Sequence, residues 1–264
     1  MQSLVGVLVA ALIFVSYIPL TVNSQTAVKT NTLIAASPIE KKESLRSNDS
    51  EAELLYQEMN LAEILKFEAF EQALQGYNTL SPSNKNILSV IDFTLPSTEK
   101  RMVILDMQNR KVLFHTIVSH GRNSGEKYAV SFSNRHGSFQ SSLGFYSTAN
   151  TYQGGNGYSL VLEGLEKGIN DQAKARAVVI HGADYVSNDI IKNTGRLGRS
   201  YGCPALPRQL TKPIINSIKN GTLLYIYAKD KSYLAQTKII NTNRSKTMLA
   251  QHDKLDNADL KNLN

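Results

Sequence analysis

The stretch VVIHGADYVSNDIIKNTGRLGRSYGCPALP, residues 178–207, decides how the chain is interpreted. It begins with an apolar run that predicts a short buried strand, and His181 and Gly182 stand at the end of that strand. Near the other end, Cys203 lies in the loop SYGCP (200–204), whose glycine and proline can aim a side chain and backbone N–H groups at one point. The pattern predicts that a thiol and an imidazole meet in space.

The chemistry of such a pair needs both residues. A thiol with an ordinary pKa near 8.5 is mostly protonated at neutral pH. A neighbouring imidazole either accepts its proton or, as imidazolium, stabilises the thiolate, which then attacks an amide carbonyl. The backbone N–H groups of Gly202 and Cys203 are the candidate donors to the resulting oxyanion. Spacing alone leaves two alternatives open, a core histidine at His181 and an inert buried thiol at Cys203.

The N-terminal segment predicts export. Residues 1–28 contain no charged side chain, and an almost unbroken apolar run, Leu4–Tyr17, is followed by the small residues Val22 and Ser24. This pattern predicts a signal peptide over 1–24, cleaved after Ser24, and a location in the periplasm or cell envelope without stable membrane insertion. An uncleaved anchor helix is the alternative, but the run is shorter than the roughly 20 residues that span a bilayer.

Charge and cysteine content are consistent with this compartment. The net charge of +7 suits an anionic polymer such as nucleic acid, a lipid surface or a cell wall with free carboxylates, although many exported proteins are simply basic. Cys203 is the only cysteine, so no intramolecular disulfide can form. A lone thiol in an oxidising compartment indicates a chemical use or deep burial.

The order of predicted elements indicates an α+β fold that is predominantly β, with an N-terminal helix. A polar, aperiodic segment over 25–50 predicts a flexible linker, and a capping box at Ser50 opens one amphipathic helix over 51–75 that Gly76 ends. A domain over 51–230 follows from the strand-like runs, and a polar tail over 231–264 ends the chain. The predicted strands are Ile87–Thr94, Arg101–Asp106, Lys111–Val118, Ser159–Leu162, Ala177–His181 and Thr222–Ala228.

Taken together, these residues resemble a known family, the L,D-transpeptidases of the YkuD type, and within it the murein L,D-transpeptidase catalytic domain. The resemblance begins with His181-Gly182 and Ser200-x-Gly202-Cys203 and covers roughly residues 51–230. Pro204 stands where better-known members have an arginine soon after the cysteine. The other matching stretches are DFTLPS (92–97), SHGRNSG (119–125), SSLGFY (141–146), NGYSLVLEGLEKGIND (156–171) and AVVIHGADYVS (177–187).

The resemblance implies a cysteine enzyme that acts on peptidoglycan stem peptides. Cys203 would form a thioester acyl-enzyme with His181 as base, release D-alanine and form cross-links with a neighbouring stem. Alternatives are an L,D-carboxypeptidase or other cysteine peptidase on the same scaffold, and a non-catalytic cell-wall-binding protein.

The expected substrate-binding residues surround the two catalytic ones. A carboxylate of the stem suits the guanidinium of Arg199, because the two groups have matching geometry. Ser200, Tyr201 and Gly182 complete the expected substrate contacts. The chain has no HExxH motif and no Cys/His ligand spacing, so no metal is expected. It also has no G-x-G-x-x-G motif after a strand and no Walker sequence, and neither an organic cofactor nor a nucleic-acid partner is expected.

Overall fold

The structure is a computed structural model, and it describes residues 50–240. The predicted signal peptide (1–24), the linker up to residue 49 and the last part of the predicted tail (241–264) lie outside the described residues. Within residues 50–240, no helix combines the length and the apolar character needed to cross a membrane.

One mixed sheet of eight strands carries the core. Its spatial order is β3-β2-β1-β8-β4-β5-β6-β7, with parallel pairing between β1 and β8 and between β6 and β7. The strands are β1 Ile87–Asp92, β2 Met102–Asp106, β3 Lys111–Thr116, β4 Gly144–Gly154, β5 Gly157–Gly164, β6 Val179–Gly182, β7 Ala205–Leu206 and β8 Leu223–Tyr227. The helices are α1 Glu51–Glu58, α2 Phe67–Leu80, α3 Asn188–Thr194, α4 Arg208–Ile218 and α5 Lys231–Gln236.

The single N-terminal helix expected over 51–75 is wrong, because the segment forms two helices. The capping box is present, with Ser50 Oγ accepting from the Glu53 N–H at 3.3 Å. The first helix ends just before Asn60, whose φ of +53° is the left-handed conformation that asparagine tolerates. Gly76 does not end the second helix. A Cβ at Gly76 would lie 2.1 Å from a ring carbon of Phe145, so the glycine lets α2 pack closely against β4.

Each of the six predicted strands overlaps an observed strand, and the hairpin between β2 and β3 forms as expected. The sequence did not identify β4, because residues 131–157 are rich in Ser, Gly, Asn and Tyr, a composition that indicates loops and short strands. In the fold this strand pairs with both β5 and β8, so backbone pairing outweighs its weak composition. It also missed α4, because Pro213 is unfavourable inside a helix and so argued against one. The helix nevertheless forms, and it buries a face that includes Ile214, Ile215 and Ile218.

The polar tail predicted from residue 231 begins instead with an ordered helix, α5. Its residue Tyr233 is buried, and the Tyr233 hydroxyl donates a hydrogen bond to Glu166 Oε2 at 3.1 Å. Just after the helix, Thr237 Oγ1 donates to Glu166 Oε1 at 2.5 Å. The Phe145 N–H is a third donor, 2.8 Å from Glu166 Oε2. A buried carboxylate therefore ties the end of the described chain to the loop after β5.

Candidate active site

His181 and Cys203 line one cavity of about 480 Å³. Both residues reach this cavity because β6 and β7 pair in parallel, with His181 opposite Ala205. The chain leaves the sheet after β6, forms α3 and returns into β7, so Cys203 arrives two residues before the partner of His181. The remaining lining residues are Arg122, Asn156, Tyr185, Arg196, Arg199, Ser200 and Tyr201.

The backbone of Gly182 orients the imidazole. His181 is 4% exposed, and its Nδ1 lies 3.1 Å from the Gly182 carbonyl oxygen. A carbonyl only accepts, so Nδ1 carries the proton and the neutral ring keeps its lone pair on Nε2. Burial lowers the pKa of His181, against a smaller opposite effect of this hydrogen bond, and so keeps the ring neutral at pH 7. The ring therefore has a free basic nitrogen, and it is held by an orienting group, the Gly182 carbonyl, that the sequence did not identify.

Gly182 supports the site through its backbone. A Cβ at this position would lie 2.4 Å from Thr211 Oγ1, so only glycine allows β6 to approach α4 this closely. Its predicted role as a substrate contact stays a prediction, whereas its carbonyl has a defined partner in His181.

The thiol of Cys203 is partly buried and touches the first residue of β6 and the segment just before it. Its Sγ accepts from the Val179 N–H at 3.4 Å and lies 3.6 Å from the Ala177 carbonyl oxygen. Burial raises the pKa of the Cys203 thiol, while the Val179 N–H and the charge of Arg176 oppose this with smaller effects. A raised thiol pKa beside a lowered imidazole pKa favours the neutral pair at rest, a state in which an imidazole can accept the thiol proton.

Ser200 and Gly202 fix the shape of the nucleophile loop. Ser200 Oγ donates to the Cys203 carbonyl at 2.6 Å and accepts from the Gly202 N–H at 3.0 Å. Gly202 has a φ of +123°, and a Cβ there would lie 2.8 Å from the Gln140 carbonyl oxygen. The Gly202 N–H, expected to bind an oxyanion, is thus already paired, and the serine expected to contact substrate is paired within the loop.

Arg199 also has partners within the protein. Its Nη1 lies 2.8 Å from Glu126 Oε1 and 3.0 Å from the Gly125 carbonyl oxygen. Arg196 binds the other oxygen of the same carboxylate, with Nε 2.9 Å from Glu126 Oε2. The guanidinium expected to recognise a substrate carboxylate therefore already holds one from the protein. Tyr201, by contrast, is 67% exposed at the cavity rim, where a substrate can reach it.

A family model described as L,D-transpeptidase catalytic domain matches residues 61–227. The chain belongs to this family. The resemblance seen in the sequence is confirmed, and so is the α+β, predominantly β fold. The match lies inside the domain predicted over 51–230.

Solved structures related to this L,D-transpeptidase domain are distant in sequence. An L,D-transpeptidase from Mycobacterium smegmatis is 13% identical, covering 54% of this chain and 59% of that one with a TM-score of 0.34. The helical cell shape determining protein Pgp2 of Campylobacter jejuni is 14% identical, with 55% and 48% covered and a TM-score of 0.37. An Enterococcus faecium L,D-transpeptidase is 14% identical, with 54% and 50% covered and a TM-score of 0.33.

This chain thus aligns with between 48% and 59% of the length of these three solved chains. Comparison with curated protein sequences found no significant match.

Arg176 lies beside Gly202 without lining the cavity, and sequence reasoning missed it. Its guanidinium donates to the Ser133 carbonyl at 2.7 Å, to Ser142 Oγ at 2.6 Å and to the Gln140 carbonyl at 2.6 Å. These contacts fasten the 131–143 segment, which runs beside Gly202. The charge of Arg176 also acts on the nucleophile, because it lowers the pKa of the Cys203 thiol against the effect of burial.

Replacing Arg176 with glutamine is expected to raise the pKa of the Cys203 thiol and to loosen the attached segment. The rate of Cys203 alkylation by iodoacetamide, followed against pH, reports the first effect, and its midpoint should move upward. Misplacement of the nucleophile loop should lower kcat/KM, by up to about 100-fold. Arg176→Lys keeps the charge without the planar fork, so it should retain the thiol pKa and still lose activity.

Lys174 offers a matched control two residues away, since it is exposed and pairs with Glu163. Lys174→Gln should leave both the alkylation profile and kcat/KM unchanged. An alkylation profile of Arg176→Gln that coincides with the wild type would contradict the electrostatic part of this assignment.

The buried ring of His120 connects its own loop, residues 119–125, to the side chain of Arg101. Its Nδ1 accepts from Arg101 Nη2 at 2.7 Å, and its Nε2 lies 3.2 Å from the Gly125 carbonyl oxygen. Burial and the adjacent guanidinium of Arg101 lower the pKa of His120 to about 3, so the ring stays neutral and keeps its accepting nitrogen.

Within residues 50–240, no group of three His, Cys, Asp or Glu side chains is arranged to hold a metal ion.

Proposed function

We propose that this domain is a cysteine L,D-transpeptidase that acts on peptidoglycan stem peptides through a thioester on Cys203. The observation that carries the proposal is one cavity lined by a thiol and by a buried neutral imidazole, whose Nδ1 is bound to the Gly182 carbonyl. Nε2 is then the free basic atom. Membership of the L,D-transpeptidase catalytic domain family supports the substrate class.

In the first half-reaction, His181 Nε2 removes the Sγ proton, and the thiolate attacks the carbonyl carbon of an L-configured centre in a stem tetrapeptide. The C–N bond to the terminal D-alanine breaks, and the imidazolium returns the proton to the departing amine. A thioester between Cys203 and the shortened stem remains, and free D-alanine is released.

In the second half-reaction, the amine of a neighbouring stem attacks the thioester and forms the cross-link, while the thiol is regenerated. Water in place of the amine gives L,D-carboxypeptidase activity, which we keep as the second candidate function. The partial exposure of Cys203 favours keeping it, because an accessible thioester is open to water as well as to an amine.

Two backbone N–H groups, those of Gly202 and Cys203, were expected to bind the tetrahedral oxyanion, and one of them already has a partner in the protein. The Gly202 N–H donates to Ser200 Oγ at 3.0 Å, so it is engaged before any substrate binds. The backbone N–H of Cys203, at the nucleophile itself, is the donor we assign to the oxyanion. Ser200 and Gly202 then act by holding the loop in the shape that presents this group.

Export is part of the proposal, because the proposed substrate belongs to the cell wall. It rests on the apolar run of residues 4–17 in the predicted signal peptide 1–24. The net charge of +7 suits an environment of free wall carboxylates.

The direct test is intact-mass spectrometry after mixing the protein with a stem tetrapeptide. We expect Cys203 to gain the mass of the tetrapeptide less D-alanine, and an added acceptor stem to convert this adduct into a cross-linked product. Hydrolysis without any cross-linked product would favour the L,D-carboxypeptidase. If Cys203 still reacts with iodoacetamide but the protein forms neither the adduct nor any product, both proposed activities are contradicted.

A further inference from the structure

The cavity beside Cys203 contains three guanidinium groups, and one carboxylate serves two of them. Arg196 and Arg199 bind the two oxygens of Glu126 at 2.9 and 2.8 Å. Within residues 50–240, no carboxylate oxygen lies within 4.0 Å of the third group, that of Arg122. The wall of the cavity therefore has an excess of positive charge, and of its three arginines Arg122 is the one without an ion-pair partner in the described part of the chain.

The backbone of Arg122 is held in position relative to Cys203. Its backbone N–H donates to the Ser200 carbonyl at 2.7 Å, and its own carbonyl accepts from Arg199 Nη1 at 2.9 Å. The preceding residue, Gly121, forms a β-bridge with Ser200. Since Ser200 also holds the Cys203 carbonyl, two residues of loop separate the anchor of Arg122 from the thiol. The side chain of Arg122 is exposed, and it lines the active-site cavity.

Two exposed aromatic rings flank this guanidinium. Its central carbon lies 6.0 Å from the ring centre of Phe139 and 5.8 Å from that of Tyr201, and the two rings are 4.8 Å apart. Phe139 is 41% exposed and has a φ of +56°, a conformation that costs energy for an aromatic residue. Neither ring is part of the core, so both are available to cover a ligand held by Arg122.

We propose that Arg122, with the rings of Phe139 and Tyr201, forms a carboxylate-binding subsite that selects stem peptides with a free carboxylate near the scissile bond. The inference rests on the proposed function, and it moves carboxylate recognition from Arg199, which is paired with Glu126, to Arg122. A guanidinium binds a carboxylate through two parallel hydrogen bonds, and the rings restrict access of water to that contact. The carboxylate is either the terminal one of the leaving residue or an acidic side chain of the stem.

Matched peptides separate the two sources. The parent tetrapeptide is compared with one amidated at the C-terminus and with one amidated on the acidic side chain. For the wild type, we expect one amidation to lower kcat/KM by roughly 10- to 100-fold, the contribution of a hydrogen bond to a charged group. In Arg122→Gln, the ratio of kcat/KM for the parent peptide to kcat/KM for that amidated peptide (the acid-over-amide ratio) should be close to one. Arg122→Lys should restore part of the wild-type ratio. The peptide whose amidation has this effect identifies the carboxylate.

Two controls decide between recognition and structure. Arg135→Gln removes an exposed arginine that does not line the cavity, and it should keep the acid-over-amide ratio. Alkylation of Cys203 by iodoacetamide should be equally fast in Arg122→Gln and the wild type. If Arg122→Gln lowers kcat/KM equally for all three peptides, or leaves the ratio intact, the subsite is wrong.

Binding measurements keep this test independent of turnover. Calorimetric titration of Cys203→Ser with the same peptides should show the same preference, and loss of it when Arg122→Gln is added. Should the wild type turn over no peptide while this preference persists, the proposed reaction fails and the subsite stands. If Cys203→Ser binds the parent and both amidated peptides equally, the subsite fails even where the reaction is confirmed.

Discussion

Replacing Cys203 with alanine is expected to abolish D-alanine release, with kcat falling by roughly 10⁴-fold or more, as for other catalytic nucleophiles. The alanine variant cannot form the thioester, so the reaction loses its covalent intermediate and not merely a contact. Release is measured from a stem tetrapeptide by mass spectrometry, and the adduct on the protein should vanish together with the product.

The variant must be shown to fold before this loss is interpreted. Sγ is a partner of the Val179 N–H, so alanine removes one weak hydrogen bond as well as the nucleophile. Cys203→Ser keeps a hydrogen-bonding atom at this place and should be equally inactive, because a hydroxyl is a far weaker nucleophile than a thiol. Near-wild-type D-alanine release from both folded variants would rule out Cys203 as the nucleophile.

Replacing His181 with glutamine is expected to lower kcat/KM by about 10²- to 10⁴-fold, the usual contribution of a general base. The wild-type pH profile carries the same information. Because burial lowers the pKa of His181, the acid limb of kcat/KM should have its midpoint below the ordinary value of about 6.5. Protonation removes the lone pair on Nε2, so activity falls as the pH drops through that midpoint.

The alkaline side of the profile tests the charge state of the pair. Burial raises the pKa of the Cys203 thiol, so a neutral resting pair keeps its activity up to an alkaline limb above the ordinary thiol value. A thiolate–imidazolium pair would instead lose activity as the imidazolium deprotonates. In His181→Gln, the remaining rate should simply rise with thiol ionisation. His136→Gln, which changes an exposed histidine, should preserve the wild-type profile, and an acid limb unchanged in His181→Gln would disprove the assignment.

The sequence predicted six of the eight strands and the two residues that carry the proposed chemistry. Short β-branched runs bounded by turns are local signals, so β1, β2 and β8 were visible without any knowledge of their partners. The expectation that His181 and Cys203 meet came from the family motif. Its His-Gly part precedes the connection between β6 and β7, and its Ser-x-Gly-Cys part ends that connection. No local pattern marks β4, since its place in the sheet comes from strands far away in the chain.

One physical cause explains why Arg176 was missed and why the side chains of Arg199 and Ser200 already have partners within the protein. Arg199 and Ser200 stand in the right loop, but their partners, Glu126 and the backbone of Gly202, are set by tertiary structure. Arg176 reaches the site only because the 131–143 segment passes beside Gly202, and no spacing in the sequence indicates this. Sequence patterns thus predicted which residue types were present, whereas their hydrogen-bond partners decided which side chains are free to bind substrate.

The carboxylate of Glu166 has a practical consequence for where the domain can be cut. The family match ends at residue 227, yet two of the three donors to this buried group, Tyr233 and Thr237, come later in the chain. A truncation at residue 227 would leave the buried carboxyl group of Glu166 without the two hydroxyl groups that donate to it. Burial already raises the pKa of this group, so the loss would be costly. Domain grafts and crystallisation fragments therefore need their C-terminal boundary beyond Thr237.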